Sequence, residues 1–378
     1  MWITNLKLVL PDQILERGSI QLEGGRIAAI LEGDVAGAMD GRGLTAIPGI
    51  IDMHGDMLER EIQPRPGSRF PFDLALYELD KRLAGSGITT AYASISFIEG
   101  WGSRDPQEGM EIVENIHRYR AGLLVDTKVH ARFEVTTPNS APILRAAVAR
   151  DEIHLVSLMD HSPGQGQFRD LEHYVSYYTK WIGGGSEAEQ GIRERAVALR
   201  DAPRAWHIAQ EVARVCLEKN VPLASHDDDT AEKVDVMAGL GTSISEFPVD
   251  LEAAREAKRR GMWVVMGAPN AYRGGSHSGN LSAVEGIEAG VVDGLAADYH
   301  PASLVQCAFK LPRLGLLPLH ESVRLVSQNI AALCGLADRG RLEAGLRADL
   351  VLVEEGDCPR VRASFSRGRK IYCDGTLV

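Results

Sequence analysis

The chain has 378 residues, of which 44% are hydrophobic and 25% charged, a composition that supplies a substantial core and excludes a marginal fold. Its formal net charge of −11, from 41 Lys and Arg against 52 Asp and Glu, excludes a broadly basic surface for nucleic acid or anionic membranes. No apolar run is long enough for a membrane span, and the N-terminus lacks a secretory pattern. We therefore expect a cytoplasmic protein that binds neither nucleic acid nor membranes.

Both ends of the chain predict short β-strands. The strand-like stretches are residues 3–10, 19–31, 44–47, 345–355 and 360–378, with a Gly-Gly turn inside the second. Because these stretches flank a middle with a different pattern, we expect both termini to pair in one small β-sandwich domain. We assign residues 1–47 plus 340–378 to that domain.

The middle of the chain alternates apolar runs with amphipathic helical segments. The eight runs are residues 46–53, 88–96, 129–136, 153–160, 221–226, 243–248, 262–267 and 294–299. Eight strands with helical crossovers predict a (β/α)8 barrel, which we assign to residues 48–339. An open doubly wound sheet is the rival fold, but no GxGxxG follows the first strand. The long interval between the fourth and fifth strands predicts extra helices over the barrel mouth.

Polar residues stand where the predicted strands end. In "PGIIDMHGDMLER", residues 48–60, His54 and Asp56 are two apart and would point to the same side of a strand. The other strand ends carry Glu134, Asp160, His161, His226, Glu246 and Asp298. A single such residue is more often a loop hydrogen-bonding group or a helix cap. As a set at one barrel mouth, however, the carboxylates would repel one another unless cations lay between them.

The donor types favour a pair of divalent ions. Histidine nitrogen with carboxylate oxygen suits zinc, manganese or iron(II), and two such ions can activate water for hydrolysis. The five cysteines are scattered and never spaced as CxxC, which argues against a thiolate zinc site or a disulfide framework. Asp298, from the last strand, is our candidate to take and return the proton of that water.

A second constellation is "MGAPNAYRGGSHSGN", residues 266–280. Small residues allow the backbone to approach a ligand, and polar side chains supply donors for phosphate oxygens. The candidate phosphate-binding residues are Arg273, Ser276, His277, Ser278 and Asn280. A Gly-rich loop without a ligand is an equal alternative, since Walker spacing is absent. Arg60, Arg65 and Arg69 add positive charge after the first strand, which favours an anionic substrate over the alternative of exposed lid arginines.

Several motifs resemble known enzymes. "PGIIDMHGD" and "GLRADLVLV" are similar to the amidohydrolase superfamily, while "LVSLMDHSPGQGQF", "ASHDDDT", "RGGSHSGN" and "DYHPASL" closely resemble the α-D-ribose 1-methylphosphonate 5-triphosphate diphosphatase (PhnM) family. The resemblance covers almost the whole chain. It implies hydrolysis of the 5-triphosphate to the 5-phosphate and diphosphate in phosphonate catabolism, with a phosphorylated ribose phosphonate as the ligand.

The resemblance also implies a metal shell. The superfamily's first-strand HxH pair falls on His54 and Asp56, His226 matches the fifth-strand ligand, and Asp298 matches the eighth-strand aspartate. We use Glu134 where many relatives have a carboxylated lysine, and His161 where their sixth strand has histidine, because this chain reads "EFP" there. Zinc is the ion we expect first. A hydrolase of C–N bonds and a non-catalytic barrel are the rival functions, and a homo-oligomer is a further expectation.

Overall fold

The computed structural model describes residues 1–65, 67–97, 106–182, 185–276 and 279–377. The strands in these ranges are β1 (Trp2–Val9), β2 (Ile14–Glu23), β3 (Arg26–Glu32), β4 (Met39–Asp40), β5 (Thr45–Pro48), β6 (Ile50–Gly55), β7 (Ile88–Phe97), β8 (Asp126–Glu134), β9 (Leu155–Met159), β10 (Leu223–His226), β11 (Ile244–Glu246), β12 (Trp263–Gly267), β13 (Gly294–Ala296), β14 (Leu350–Glu354), β15 (Arg360–Ser366) and β16 (Arg369–Cys373).

The helices alternate with the middle strands. They are α1 (Met57–Ile62), α2 (Phe72–Gly85), α3 (Pro106–Tyr119), α4 (Ala141–Ala149), α5 (Leu171–Ile182), α6 (Ser186–Asp201), α7 (Trp206–Glu218), α8 (Ala231–Gly239), α9 (Leu251–Arg259), α10 (Ala268–Arg273), α11 (Ala283–Glu288), α12 (Ser303–Arg313), α13 (Leu319–Arg324) and α14 (Gln328–Leu333). None of the helices in the described ranges is both long and apolar enough to cross a membrane.

Eight parallel strands, β6 to β13, pair in chain order. The last strand returns to the first through a bridge between Gly55 and Asp298, so the sheet is a nearly closed barrel. Its interior is filled by apolar side chains that alternate along the strands, among them Met53, Tyr92 and Val265, and α14 covers one end. The predicted (β/α)8 barrel is confirmed.

The two termini form the second sheet. Its strand order is β16-β15-β14-β5-β1-β2-β3, with β4 beside β1, so strands from both ends of the chain are neighbours. Apolar residues from both termini share one core, including Leu8 and Ile20 from the first and Leu350 and Phe365 from the last. This confirms the small β domain, while its limits at residues 47 and 340 stay a prediction.

The predicted first barrel strand, residues 46–53, is in fact parts of two strands in different sheets. β5 pairs with β14 in the terminal sheet, whereas β6 pairs with β7 in the barrel. Gly49 lies between them, and a Cβ there would collide with the side chain of Thr89. Continuous hydrophobicity conceals this boundary because both strands are fully buried.

The long interval after β9 carries α5 and α6 before α7 resumes the barrel pattern. These two helices pack on each other around a core of their own that includes Phe168, Tyr174 and Ala196. Tyr174 and Leu199 also line the cavity at the barrel mouth. The predicted insertion over the mouth is therefore present.

Candidate active site

The C-terminal ends of the barrel strands surround a cavity of about 520 Å³. Most of the predicted site residues line it, namely His54, Asp56, Glu134, His161, His226, Arg273, Ser276, Asn280 and Asp298. His277 and Ser278 lie outside the described residues. Nine side chains from distant parts of the sequence thus meet at one place because all parallel strands of a barrel end at the same face.

Three residues next to the cavity have an unusual backbone. They are Asp227 and Phe247, which directly follow β10 and β11, and Asp298, which lies two residues after β13. Their φ angles are +51°, +57° and +55°. Such angles are uncommon for residues other than glycine and concentrate at functional sites. The amide of Asp298 donates to the His54 carbonyl, and the Asp56 amide donates to the Asp298 carbonyl, each at 2.8 Å. The eighth strand is therefore joined to the first at the site itself.

Glu246, at the end of β11, lies at the centre of the histidines and is fully buried. Its Oε1 lies 2.8 Å from His54 Nδ1, and its Oε2 lies 2.8 Å from His226 Nδ1. Ser157 donates a further hydrogen bond to Oε2 at 2.9 Å. One carboxylate therefore connects the first and fifth strands of the barrel.

The buried charges around Glu246 shift one another's pKa values. Burial disfavours the imidazolium of His54, but the carboxylates of Glu246 and Asp56 outweigh burial and raise the pKa of His54 to about 10. Burial likewise opposes ionisation of Glu246, yet His54 and the histidine hydrogen bonds hold the pKa of Glu246 well below its usual value. Glu246 is therefore a carboxylate.

His161 is held by Glu134. Its backbone amide donates to Glu134 Oε1 at 2.9 Å, and its Nδ1 lies 2.7 Å from Oε2. The other ring nitrogen, Nε2, lies 4.0 Å from Asp227 Oδ2, while His226 Nε2 lies 3.6 Å from the same oxygen. Two histidines and a carboxylate therefore converge.

Asp56 and Asp298 bring negative charge close together. Burial and then the charge of Asp56 raise the pKa of Asp298 to about 7. Asp56 Oδ1 accepts from Arg132 at 2.8 Å and lies 3.3 Å from His54 Nε2. A carboxyl group with a pKa near neutrality is suited to accept and return a proton.

The donor set fits divalent cations. Two groups of ligand atoms lie within 4.8 Å of one another, one formed by His161, His226 and Asp227 and the other by His54, His226 and Glu246. Histidine nitrogen with carboxylate oxygen is the chemistry that zinc, manganese and iron(II) accept. The raised pKa of Asp298 also fits, since a cation would offset the repulsion between the two aspartates.

The loop predicted to hold phosphate reaches the same cavity. Arg273 ends α10, and its Nε donates to the Pro269 carbonyl at 3.2 Å. Asn270 secures the loop, because its side chain donates to the Leu281 carbonyl and accepts from the Ala283 amide at 2.9 and 3.0 Å. Arg60, from α1, also lines the cavity. Neither Arg60 nor Arg273 has an ion-pair partner among the residues that the structure describes.

Sequence reasoning did not select four residues that the structure brings into this cluster. Glu246 stood among the polar strand ends but was read only as a missing histidine, and Asp227 stood within "SHDDD". His130 and Arg132 precede Glu134 at spacings of two, so all three point to the same side of β8. That alternation of polar residues inside a barrel strand is the signal that could have found His130 and Arg132.

The fold has clear counterparts among solved structures. An amidohydrolase crystal structure aligns with a TM-score of 0.65 and 15% identity over 99% of both chains. A 5-methylcytosine deaminase from Klebsiella pneumoniae, liganded with phosphonocytosine, aligns with a TM-score of 0.65 and 16% identity over 100% of this chain and 99% of the other. The fold is that of the amidohydrolases, whose barrel and terminal sheet this chain shares.

At the level of sequence, no family model matches. The α-D-ribose 1-methylphosphonate 5-triphosphate diphosphatase of Escherichia coli strain K12 is 37% identical over 370 residues, which cover 94% of this chain and 96% of that protein. The chain belongs to the family of that diphosphatase. The resemblance that the motifs indicated is confirmed.

Proposed function

We propose that this protein hydrolyses α-D-ribose 1-methylphosphonate 5-triphosphate to the 5-phosphate and diphosphate, as a step of phosphonate catabolism. The relative that is 37% identical across nearly its whole length carries this activity in its name. The observation that supports the proposal is the content of one cavity: His161, His226 and Asp227 can hold a cation, and Arg273 faces the same space. A triphosphate needs both kinds of group.

We propose two divalent ions, with zinc first and manganese or iron as alternatives. The proposed ligands are His54, Asp56, Glu134, His161, His226 and Asp298. Asp227 is added to them because its Oδ2 lies 4.0 Å from His161 Nε2 and 3.6 Å from His226 Nε2. When bound, such ions act as Lewis acids and lower the pKa of water from about 15.7 towards 7.

The chain's own residues then have separate tasks. Arg132 holds Asp56 in place through their 2.8 Å hydrogen bond. Arg60 and Arg273 are placed to bind phosphoryl oxygens, which balances the charge of a triphosphate. Ser276 and Asn280, which line the same cavity, are proposed as neutral donors to the substrate.

Asp298 is the proposed general base. As water attacks the phosphorus at the α–β anhydride, Asp298 accepts a proton from it. The bond from the attacked phosphorus to the bridging oxygen breaks, and that oxygen stays with the other product, so that the 5-phosphate and diphosphate separate. Asp298 then returns the proton to solvent or product. A pKa of about 7 suits both transfers near neutral pH.

Phosphorus NMR with the triphosphate, the metal-loaded chain and oxygen-18 water tests the proposal. We expect diphosphate and a 5-monophosphate to appear together, with the label naming the phosphorus that is attacked. An unchanged spectrum from metal-filled protein would contradict the proposal, and turnover of cyclic amides or N-acyl sugar phosphates would assign the site to C–N bonds instead. Absence of bound metal after loading would favour a non-catalytic barrel.

The remaining proposals concern the protein's surroundings. We infer a cytoplasmic location and no binding to nucleic acid or membranes, supported by the net charge of −11. A homo-oligomer is a prediction that light scattering of the purified chain would test.

A further inference from the structure

A chain of buried polar groups continues below the cavity. Ser94 Oγ lies 3.1 Å from His130 Nδ1, and His130 Nε2 lies 2.5 Å from Ser157 Oγ. Ser157 in turn donates to Glu246 at 2.9 Å. All four side chains are at most 1% exposed. The series therefore runs from the second barrel strand to the sixth without contact with solvent.

The direction of each proton in this series follows from the carboxylate at its end. Ser157 gives its only hydroxyl proton to Oε2 of Glu246, a carboxylate that two imidazole nitrogens also approach at 2.8 Å. Ser157 must then accept from His130 Nε2. His130 is fully buried and both of its ring nitrogens face serine hydroxyl groups, which favours the neutral ring, so Nδ1 accepts from Ser94. Each member of the series has one arrangement of protons.

The same reasoning applies to the two histidines above Glu246. A carboxylate only accepts, so His54 and His226 must both carry a proton on Nδ1. Their Nε2 atoms are then the ones directed to Asp56 and Asp227, at 3.3 and 3.6 Å. Both histidines line the cavity, whereas Glu246 does not.

We propose that Glu246, supported by Ser157 and His130, is a positioning residue that fixes the Nδ1 protons of His54 and His226 and so presents both Nε2 atoms to cations. The sixth strand thus supplies an orienting carboxylate in this chain rather than a ligand.

The competing arrangement uses Glu246 itself as a ligand together with the Nδ1 atoms, since these atoms also lie within 4.8 Å of one another. It would break both 2.8 Å hydrogen bonds to the histidines. Moreover, Ser157 already donates to the oxygen that His226 uses. The two arrangements therefore differ in which ring nitrogen of each histidine binds the cation, Nε2 or Nδ1.

The proposal rests on the proposed function only in assigning cation binding to these histidines. The first test is NMR of the full chain with ¹⁵N-labelled histidine, loaded with ¹¹³Cd²⁺. We expect cadmium to couple to Nε2 of His54 and His226, with a proton retained on each Nδ1. Coupling to either Nδ1 would overturn the proposal. This measurement needs no variant of Glu246, and diphosphate release by the zinc-loaded chain is followed separately.

Glu246→Gln sharpens the test because glutamine keeps one acceptor oxygen. With that oxygen at the Oε2 place, bonds to His226 and Ser157 persist, while the amide N–H faces His54 Nδ1 and requires it to accept. We therefore expect the His54 proton to move to Nε2 and cation affinity to fall about 10- to 100-fold, with His226 unchanged. A His54 ring that keeps its Nδ1 proton and its cadmium coupling would overturn the proposal.

Two variants complete the design. Glu256→Gln, on α9 and paired with Arg259 and Arg260, should leave both ring assignments and the affinity unchanged. Ser157→Ala keeps both histidine bonds to Glu246, so we expect the cadmium coupling to stay at Nε2 with a smaller loss of affinity than in Glu246→Gln. If Ser157→Ala lost as much cation affinity as Glu246→Gln, or more, this would contradict the assignment of Glu246 as the residue that positions the two histidines.

Discussion

The barrel buries charge at both ends, and the two clusters differ in balance. At the end away from the active site, Asp126 accepts from Arg339 at 2.6 Å, from Arg347 at 2.8 Å and from Arg120 at 3.1 Å. At the mouth, Asp56 and Asp298 lie close together, and Arg132 donates a hydrogen bond to Asp56. In the first cluster arginines match the carboxylates, since Arg339 also binds Asp338 and Arg347 also binds Asp349, whereas the second has carboxylates that compete.

The pKa values report this difference. Burial opposes ionisation of Asp126, but its arginines outweigh burial and hold its pKa well below the usual range. Burial and Asp56 raise the pKa of Asp298 to about 7. The Asp126 cluster is complete without any ligand and joins the barrel to the terminal sheet, since Arg347 also binds Ser366 at 3.0 Å. At the mouth, the negative charge of the competing carboxylates is compensated only when a cation binds.

The largest effect of a substitution is expected from Asp298→Asn at the mouth. The amide cannot accept the proton, so turnover should fall by about 10²- to 10⁴-fold. Metal content should persist, because several ligands remain, and relief of repulsion from Asp56 should leave the unfolding midpoint unchanged or higher. Steady-state assay, metal analysis and calorimetry measure these quantities. Asp357→Asn, at an exposed site, is the control, and full turnover in Asp298→Asn would remove its role.

Asp126→Asn should show the opposite behaviour. Arg339 and Arg347 each lose one of two carboxylate partners and keep Asp338 and Asp349, so the variant should lose about 1–3 kcal/mol of unfolding free energy. Turnover per folded molecule should be unchanged at a temperature where the variant is folded. Denaturant titration together with the activity assay checks both. A turnover loss in fully folded protein would show that the two clusters are coupled.

The Asp126 cluster also predicts an acid dependence. Because its pKa is lower in the folded chain than the unfolded value of about 3.9, its contribution is fully present above that pH and is lost as pH falls below it. Wild-type stability should therefore fall more steeply than that of Asp126→Asn below about pH 4. Parallel curves for the two proteins would contradict the assignment.

Removal of metal should affect the mouth alone. Cation at about 100 times its dissociation constant stabilises the folded chain by about 2.7 kcal/mol, so chelation should lower the unfolding midpoint accordingly and abolish turnover. Calorimetry with and without zinc measures the shift. The same shift should occur in Asp126→Asn, because the two clusters lie at opposite ends of the barrel, and a smaller one would argue against their independence.

The smallest effect is expected from Arg273→Ala. Loss of one charge-assisted hydrogen bond to a phosphoryl oxygen should raise KM for the triphosphate about tenfold. The unfolding midpoint should be nearly unchanged, since Arg273 has only backbone hydrogen bonds among the described residues. Arg259→Ala, on α9, is the control. An unaltered KM would remove Arg273 from the proposed substrate site.

Much of this protein was determined by sequence alone. Alternating apolar runs and amphipathic segments predicted the barrel, because parallel strands buried on both faces read as continuous hydrophobic stretches. The division at Gly49 was not visible, since strands of two sheets share that continuous pattern. Polar residues at strand ends indicated the place of the site, because every barrel strand ends at one face.

Tertiary structure alone decided how those polar residues are used. Sequence order does not reveal that Glu246 lies 2.8 Å from histidines of the first and fifth strands, or that Asp227 faces His161. Nor does it reveal that Asp126 meets arginines more than 200 positions away. The reason is physical: the pKa and the proton arrangement of a buried group depend on its neighbours in space, and the barrel brings those neighbours from distant strands.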